Sequence, residues 1–236
     1  MSNSFSLTKE QSNAIEMFFK DPLKPQTDKS IEIEGKSFLY MIRKDANVCL
    51  NVTETNQEIA IWAATTVIFA GIDLLGQFYT GKQEDQVGYR FKTFCEDFIT
   101  NGDVDQAEAI YMLRNAFVHR YGLFSKTRNG NIKYEFTVTY KEVGLPLVTK
   151  TFDDGQTKKY TVELFVLHKK FEEAVMDYKK RVCANKNNEL NTFMNVYQSY
   201  GKIGHEEQII ASPYGVNYSS GSVTIYASGS SLINNT

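Results

Sequence analysis

The residues from 59 to 79 form the most apolar stretch of the sequence and limit the possible folds more than any other segment. The stretch is long enough to cross a membrane, but polar side chains, Asp73 and Gln77 among them, interrupt its apolar surface. A soluble helix that is apolar nearly all round is buried on every side. We therefore predict a helix over residues 58–79 at the centre of a soluble bundle, ended by Gly81.

The chain of 236 residues is long enough for a domain with its own core, and 42% of its residues are apolar. Its net charge of −2 argues against a general affinity for nucleic acid, so any site for a polyanion has to be a local patch. Three cysteines without a CxxC pair fit neither a disulfide framework nor a zinc site. With no secretory signal at the N-terminus, we predict a cytoplasmic protein with reduced cysteines and no membrane contact.

Helical signals open the chain. Thr8 and Gln11 have the spacing of a capping box, in which each side chain satisfies the other's free amide, and they predict a helix to about residue 20. The next segment, 31–50, stays ambiguous. Residues 31–34 alternate like a strand, whereas residues 38–50 fit either a helix or a strand.

Helical spacing returns after the central apolar stretch. Residues 89–99 carry aromatic and apolar side chains at helical intervals, and Asn101-Gly102 closes this element. Asp103 or Asp105 can cap the helix that follows, which is predicted to run to about residue 121 and to stop at Gly122.

The pattern changes after Gly122 to short strands and turns. The predicted strands cover residues 132–140, 147–152 and 160–166, with a hairpin turn at 153–155. Helices are predicted again over 168–184 and 190–200. The predicted fold is mainly α, a helical bundle with a small antiparallel β-meander at about 130–167 inserted before the C-terminal helices. Residues 1–205 form a single domain, and the Ser-, Gly- and Asn-rich residues 206–236 form a tail.

The chemically most specific feature lies near the end of the helix before Gly122. On a helical wheel the core stripe is formed by Ile110, Leu113, Ala116 and Phe117. Asn115 and His119 are four residues apart and share the opposite face, with Arg114 at its flank. The same face carries Tyr111, Met112 and Val118, which are unusual on a solvent-facing surface. We therefore expect another helix or another subunit to cover it.

These three side chains provide the groups that metal-free RNA cleavage needs. A histidine such as His119 exchanges protons near neutral pH. An arginine such as Arg114 holds a phosphate through two parallel hydrogen bonds, and the Asn115 amide can donate to a phosphate oxygen or orient the imidazole. A base would take the proton of the ribose 2′-hydroxyl, whose oxygen then attacks the adjacent phosphate.

The sequence Leu113-Arg-Asn-Ala-Phe-Val-His119, followed by Arg120-Tyr121-Gly122, resembles the signature of the HEPN superfamily. The upstream sequence Ala70-Gly-Ile-Asp73-Leu-Leu-Gly also resembles HEPN-like bacterial proteins, so the resemblance covers residues 55–124. It implies a compact helical bundle, a homodimer with two motifs face to face, and metal-independent RNA cleavage without a cofactor. It also implies a toxin, stress or defence role, with an antitoxin as a possible partner. Arg114 would hold the phosphate, Asn115 would support it, and His119 would be the general acid/base.

Several further residues support this site. Asp73 lies in an apolar helix, where an unpaired carboxylate would be costly, so we expect a partner among Arg90, Arg114 and Arg120. Arg120 and Tyr121 belong to the motif and are predicted to support it. A local basic patch for the RNA backbone is expected around Lys126 and Arg128, and it includes Arg114, Arg120 and Lys133.

Two alternatives remain open. The chain could be a non-catalytic HEPN-like module that binds a nucleotide, an RNA or a protein partner, with the motif holding an anion. It could also be a structural or interaction protein, in which case the motif face should lie in the monomer's own core. His168 and His205 are predicted to be surface histidines, and no sequence spacing typical of a metal site is present.

Overall fold

The computed structural model describes residues 6–23, 37–50, 59–81, 86–120, 122–140 and 145–200, and the backbone of 217–219 and 222–224. These residues form a mainly helical protein with one four-stranded mixed sheet. The strand-like residues 31–34, Tyr121, His205 and nearly all of the predicted tail lie outside the described residues.

Seven α-helices and two short sheets follow one another along the described chain. The helices are α1 (Lys9–Phe18), α2 (Phe38–Cys49), α3 (Ile61–Thr80), α4 (Val87–Phe94), α5 (Val104–Arg120), α6 (Leu164–Cys183) and α7 (Glu189–Tyr200). A π-helical turn, Cys95–Ile99, follows α4, and a 3₁₀ turn, Lys186–Asn188, precedes α7. The strands are β1 (Phe124–Lys126), β2 (Lys133–Thr139), β3 (Val148–Asp153), β4 (Thr157–Glu163), β5 (Asn217–Ser219) and β6 (Ser222–Thr224).

Side-chain caps begin the first two helices. The predicted capping box is confirmed, with the Gln11 amide donating to Thr8 Oγ1 over 3.2 Å and the Thr8 amide donating to Gln11 Oε1 over 2.9 Å. Ser37 caps α2 by accepting from the Tyr40 amide, and its hydroxyl donates to the Phe18 carbonyl over 2.8 Å. The ambiguous residues 38–50 are therefore helical, and the start of α2 is fixed to the end of α1.

Helix α3 packs against α2, α4, α5, α6 and α7, so its predicted central position is confirmed. Gly81 ends the helix in the left-handed conformation with φ +65°, as predicted. The prediction that α3 is buried on every side is wrong for its first half. There, small side chains face solvent beside Trp62, which is 49% exposed. By length and composition α3 could cross a membrane. Half of its most apolar 18 residues are buried against other parts of the protein, which is compatible with a soluble protein.

Gly76 marks the closest approach of α3 to α4. A Cβ atom at this position would lie 2.7 Å from the carbonyl oxygen of Arg90, which is a backbone atom that cannot rotate away. A glycine is therefore needed here for packing, although glycine lowers helix propensity.

We expect Gly76→Ala to lower the free energy of unfolding by about 2 kcal/mol, because the added methyl group forces α3 and α4 apart. Gly122→Ala is the control, since its Cβ would lie 3.6 Å from the Arg120 carbonyl oxygen, which is an ordinary contact distance. Urea denaturation measures both variants. Equal stabilities of the two variants would show that the α3–α4 contact adapts without cost.

The four-stranded sheet has the strand order β1-β2-β4-β3. Strand β4 runs parallel to β2, with Phe136 opposite Tyr160, and antiparallel to β3. The predicted antiparallel meander is therefore wrong, because β4 lies between β2 and β3. The alternation of side chains in a sequence determines which face each residue takes and does not determine which strand lies beside it.

The sheet also differs from the prediction at its two ends. Strand β1 was not predicted, and α6 begins at Leu164, four residues before the predicted helix start. The predicted hairpin between β3 and β4 is confirmed, with Asp154 accepting from the Gln156 amide over 2.9 Å and Gly155 at φ +82°. The inner face of the sheet carries three stacked rings, Tyr134, Phe136 and Tyr160, and β1, β2 and β3 contact α5.

His168 is not a surface histidine. Because α6 begins early, His168 lies one turn inside the helix and its side chain is only 12% exposed. Its Nε2 is 4.0 Å from Glu172 Oε1, and Glu172 also pairs with the buried Arg43 at 2.5 Å. Burial lowers the pKa of His168, and the nearby Arg43 charge lowers it further. The three cysteines are free thiols, of which Cys95 is fully buried.

Glu189 is the first residue of α7 and its carboxylate is buried. The nearest cation is the Arg181 guanidinium, at 3.7 Å. Among the described residues, neither Glu189 carboxylate oxygen has a hydrogen-bond partner, and the neighbouring Tyr178 hydroxyl has none either. Burial raises the pKa of Glu189 above the ordinary value of 4.5, whereas Arg181 lowers it. The native state therefore holds the Glu189 proton more tightly than the unfolded chain does.

The Glu189 contribution to stability is complete below pH 4.5 and is lost as the pH rises through the raised pKa. We expect Glu189→Gln to become progressively more stable than the wild type over that range, because it removes the ionisation. Thermal melts across the pH series measure the difference. Glu173→Gln, which changes a carboxylate with a 45% exposed side chain, should show no such trend. A trend of equal size in both variants would contradict the assignment to Glu189.

Candidate functional site

Arg114 lies where three helices meet. Its Nη2 donates to Asp73 Oδ2 of α3 over 2.7 Å, and Arg90 of α4 reaches the other carboxylate oxygen of Asp73 at 3.4 Å. The three side chains are only 12–16% exposed. The predicted need of Asp73 for a partner is thus met by two of the three candidates. Arg120, the third, lies instead with its guanidinium 5.9 Å from the Phe124 ring.

Asn115 and His119 lie on the other side of the Arg114 guanidinium. Arg114 Nη1 donates to Asn115 Oδ1 over 3.2 Å and lies 3.3 Å from His119 Nε2. A guanidinium only donates hydrogen bonds, so a hydrogen bond at this contact requires the lone pair of His119 on Nε2. The structure brings the three predicted catalytic residues together.

The carboxylate of Asp73 holds the Arg114 guanidinium on the side away from His119. The α5 backbone places Asn115 next to His119, because the two residues are one helical turn apart. His119 and Arg120 are exposed, while Asn115 and Arg114 are half-buried. The motif face is therefore open to solvent at its C-terminal end. A purely structural role would place the face in the core.

The apolar residues on the motif face have different surroundings. Met112 is 3% exposed, whereas Tyr111 is half-buried with its hydroxyl against Gly88. Val118 is 38% exposed. The four-stranded sheet also contacts α5, whereas the sequence predicted another helix or another subunit against this face. Val118 remains uncovered by the described residues.

A groove of about 500 Å³ runs beside the motif between α5 and β1. Asn115 and His119 line it together with Glu108, Tyr111, Met112, Arg120, Ser125, Lys126, Thr127 and Arg128. Both residues predicted to bind RNA, Lys126 and Arg128, thus lie in one groove with the motif. Lys133, the more distant member of the predicted patch, is opposite Lys126 on the neighbouring strand.

One wall of the groove, here called the basic wall, carries the cations of Arg120, Lys126 and Arg128. Arg120, Lys126 and Arg128 are exposed, and none of them forms an ion pair with a carboxylate in the described parts of the chain. Most other described lysines and arginines pair with acidic side chains. Free cations beside a fixed Arg114 favour binding of an anion with several charges.

Sequence reasoning missed Glu108 as a residue of this groove. Glu108 and Tyr111 precede Asn115 by seven and four residues, so all three occupy one face of α5. Their helical spacing was visible in the sequence. The second wall was not, because the short strand β1 was not predicted. Within the described ranges, no group of three or more His, Cys, Asp and Glu residues could hold a metal ion.

Comparisons with protein-family models, with curated proteins and with solved structures find no match to this chain.

Proposed function

We propose that this protein is a metal-independent endoribonuclease of HEPN type that acts in the cytoplasm as a homodimer. The observation that carries the proposal is the position of the Arg114 guanidinium. Asp73 holds it on one side, and Asn115 and His119 meet it on the other, beside a groove with three cations that form no ion pair with the described residues. Such an arrangement supplies a proton acceptor and a phosphate clamp in one place.

In the proposed reaction His119 Nε2 takes the proton of the ribose 2′-hydroxyl. The 2′-oxygen then forms a bond to the adjacent phosphorus, and the bond between phosphorus and the 5′-oxygen breaks. The leaving 5′-oxygen takes up a proton, so the products are a 2′,3′-cyclic phosphate and a 5′-hydroxyl. Arg114 stabilises the negative charge that develops on the phosphate oxygens, and Asn115 supports the same oxygens.

The reaction needs a base and an acid, and the motif has one histidine. Two copies of the chain with their motifs face to face would supply both groups. Exposed apolar side chains near the motif support such a contact. The Trp62 ring packs 4.4 Å from the Phe117 ring while remaining 49% exposed, and Val118 follows in the chain. The proposed biological role, a toxin or a stress or defence effector with an antitoxin partner, comes from the HEPN resemblance alone.

The test is cleavage of a mixed RNA pool in EDTA, with the solution mass of the protein measured on the same preparation. Cleavage that leaves 2′,3′-cyclic phosphate ends supports the proposal, provided that it disappears in His119→Ala. A well-folded dimer that leaves the RNA intact would contradict it.

A second candidate is a non-catalytic HEPN-like module that binds a nucleotide, an RNA or a protein partner. The observation in its favour is that Arg114 already donates to Asp73 and Asn115, so it acts as an organiser of the helices without any ligand. On this proposal His119→Ala binds RNA as the wild type does, and neither protein shows turnover.

The basic wall gives a prediction for RNA binding that does not depend on catalysis. We expect Lys126→Gln/Arg128→Gln to reduce the slope of log affinity against log salt by about 1.4, at roughly 0.7 for each phosphate contact with a single strand. Lys169→Gln/Lys180→Gln is the matched control, because it removes two exposed cations from α6, each near an acidic side chain. A salt titration of RNA binding measures both slopes. An unchanged slope in the first variant would contradict the groove as the RNA site.

A further inference from the structure

At one end of the groove, α5 contributes the acidic side chain of Glu108. A site for phosphate alone has no use for a carboxylate. Glu108 lines the groove and pairs with Lys92 of α4 at 2.8 Å, and their side chains are 32% and 36% exposed. A carboxylate at this position repels a phosphate, so the end near Glu108 suits a different part of a nucleotide. The pair presents oxygen acceptors from Glu108 next to N–H donors from Lys92.

We infer that the Glu108 end of the groove, where Lys92 pairs with Glu108 from outside the groove lining, binds a base of single-stranded RNA and prefers guanine. The inference rests on the proposed RNA-binding function of the same groove. The Watson–Crick edge of guanine carries one acceptor, O6, followed by two donors, N1–H and N2–H. Glu108 can accept both donors while Lys92 donates to O6. Uracil offers a single donor between two acceptors, and adenine offers a single donor, so neither matches a carboxylate equally well.

The position of Glu108 along α5 determines where in the RNA the bound base lies relative to the cleaved bond. Glu108 precedes His119 by eleven residues, which corresponds to about 16 Å along the helix axis. A base at Glu108 therefore belongs to a nucleotide that flanks the one being cut. The phosphates between the two positions pass along the wall that holds Arg120, Lys126 and Arg128.

Tyr111 gives the base a surface to pack against. It lines the groove one turn after Glu108 and is half-buried, with its ring 5.8 Å from the Phe91 ring. The hydroxyl of Tyr111 abuts Gly88, and the Lys92 ammonium lies 5.6 Å from the ring centre. Contacts with α4 thus hold the ring and the Lys92–Glu108 pair in one arrangement, and a fixed ring loses little entropy when a base packs on it.

The test uses short single-stranded oligonucleotides of identical length that differ in one central base, G, A, C or U, between uridines. Their riboses carry 2′-fluoro groups, which cannot attack the phosphate, so binding is measured without cleavage. Fluorescence anisotropy gives the four affinities. Because the phosphates are the same in all four, their contribution cancels in the ratios. We expect guanine to bind about tenfold more tightly than uracil, which is within the range of a two-bond contact to a base.

Glu108→Gln keeps the size of the side chain and replaces one acceptor by a donor, so it should abolish the guanine preference. Glu135→Gln is the matched control, because Glu135 forms the same kind of pair with Lys159, also at 2.8 Å, away from the groove lining. Equal binding of the four oligonucleotides by the wild type, or a guanine preference that persists in Glu108→Gln, would overturn the inference. RNA cleavage in EDTA is scored separately, so a nuclease without base preference and a guanine-binding protein without turnover give different results.

Discussion

Replacing His119 by alanine is expected to lower the rate of RNA cleavage by about 10²–10⁴-fold, the usual contribution of a general acid–base group. In the proposed dimer the substitution would remove both the base and the acid, so we expect the loss to fall at the upper end of that range. RNA affinity should change little, because the groove cations and Arg114 remain. Since His119 is exposed, the free energy of unfolding should change by less than about 0.5 kcal/mol.

The control for this prediction addresses a structural role of His119 at the helix end. Lys180 is also a basic residue in the last turn of its helix, α6, and it is exposed. Lys180→Ala should leave cleavage unchanged and should alter stability as little as His119→Ala does. Single-turnover cleavage separates the chemical step from binding. If His119→Ala retained the wild-type single-turnover rate, His119 would not be the general acid or base.

Asp73→Asn is expected to have the largest effect on stability among the site variants. Asp73 pairs with both Arg90 and Arg114, and its amide replacement would remove the carboxylate to which the largely buried Arg114 guanidinium donates. Removing one partner of a fully buried ion pair costs about 3–5 kcal/mol. Because the Asp73 side chain keeps 16% exposure, we expect a loss of about 2–3 kcal/mol in the free energy of unfolding.

The same substitution should lower cleavage, because Arg114 loses the contact that fixes it beside His119. Asp177→Asn is the matched control: Asp177 pairs with Lys180 at 2.8 Å, but this pair is exposed and should contribute less than about 1 kcal/mol. Urea denaturation and cleavage rates measure both variants. Similar small losses of stability would show that the three-helix ion pair contributes no more than a surface pair.

The parts of the fold that follow from local patterns could be predicted from the sequence. The Thr8 capping box, the Gly81 helix end and the Asp153-Asp154-Gly155 turn each depend on residues close in the chain. The placement of Asn115 and His119 on one face likewise follows from the 3.6-residue repeat of α5, whereas the orientation of Arg114 also depends on Asp73. Apart from that contact with Asp73, the interacting residues are in each case only a few positions apart in the sequence.

The parts that depend on distant segments could not be predicted in the same way. Asp73 was expected to have one partner, but it has two, because α3, α4 and α5 converge at one point. The position of β4 between β2 and β3 depends on contacts among separate segments of the chain. The groove depends on β1, whose three residues are too few to show an alternating pattern.

The strand order also determines how the sheet meets other chains. Among the described residues, β4 is paired along both edges, while β1 covers only the first part of β2, so open hydrogen-bonding groups lie on β1, on β3 and on the second part of β2. Strand β1 is only three residues long, and β3 carries the exposed Lys150 and a register shift between Lys150 and Phe152. Short, charged and irregular edges resist strand-to-strand association. Copies of this protein are thus discouraged from aggregating through the sheet, which is consistent with the proposed dimer contact through the helical face around Trp62 and Val118.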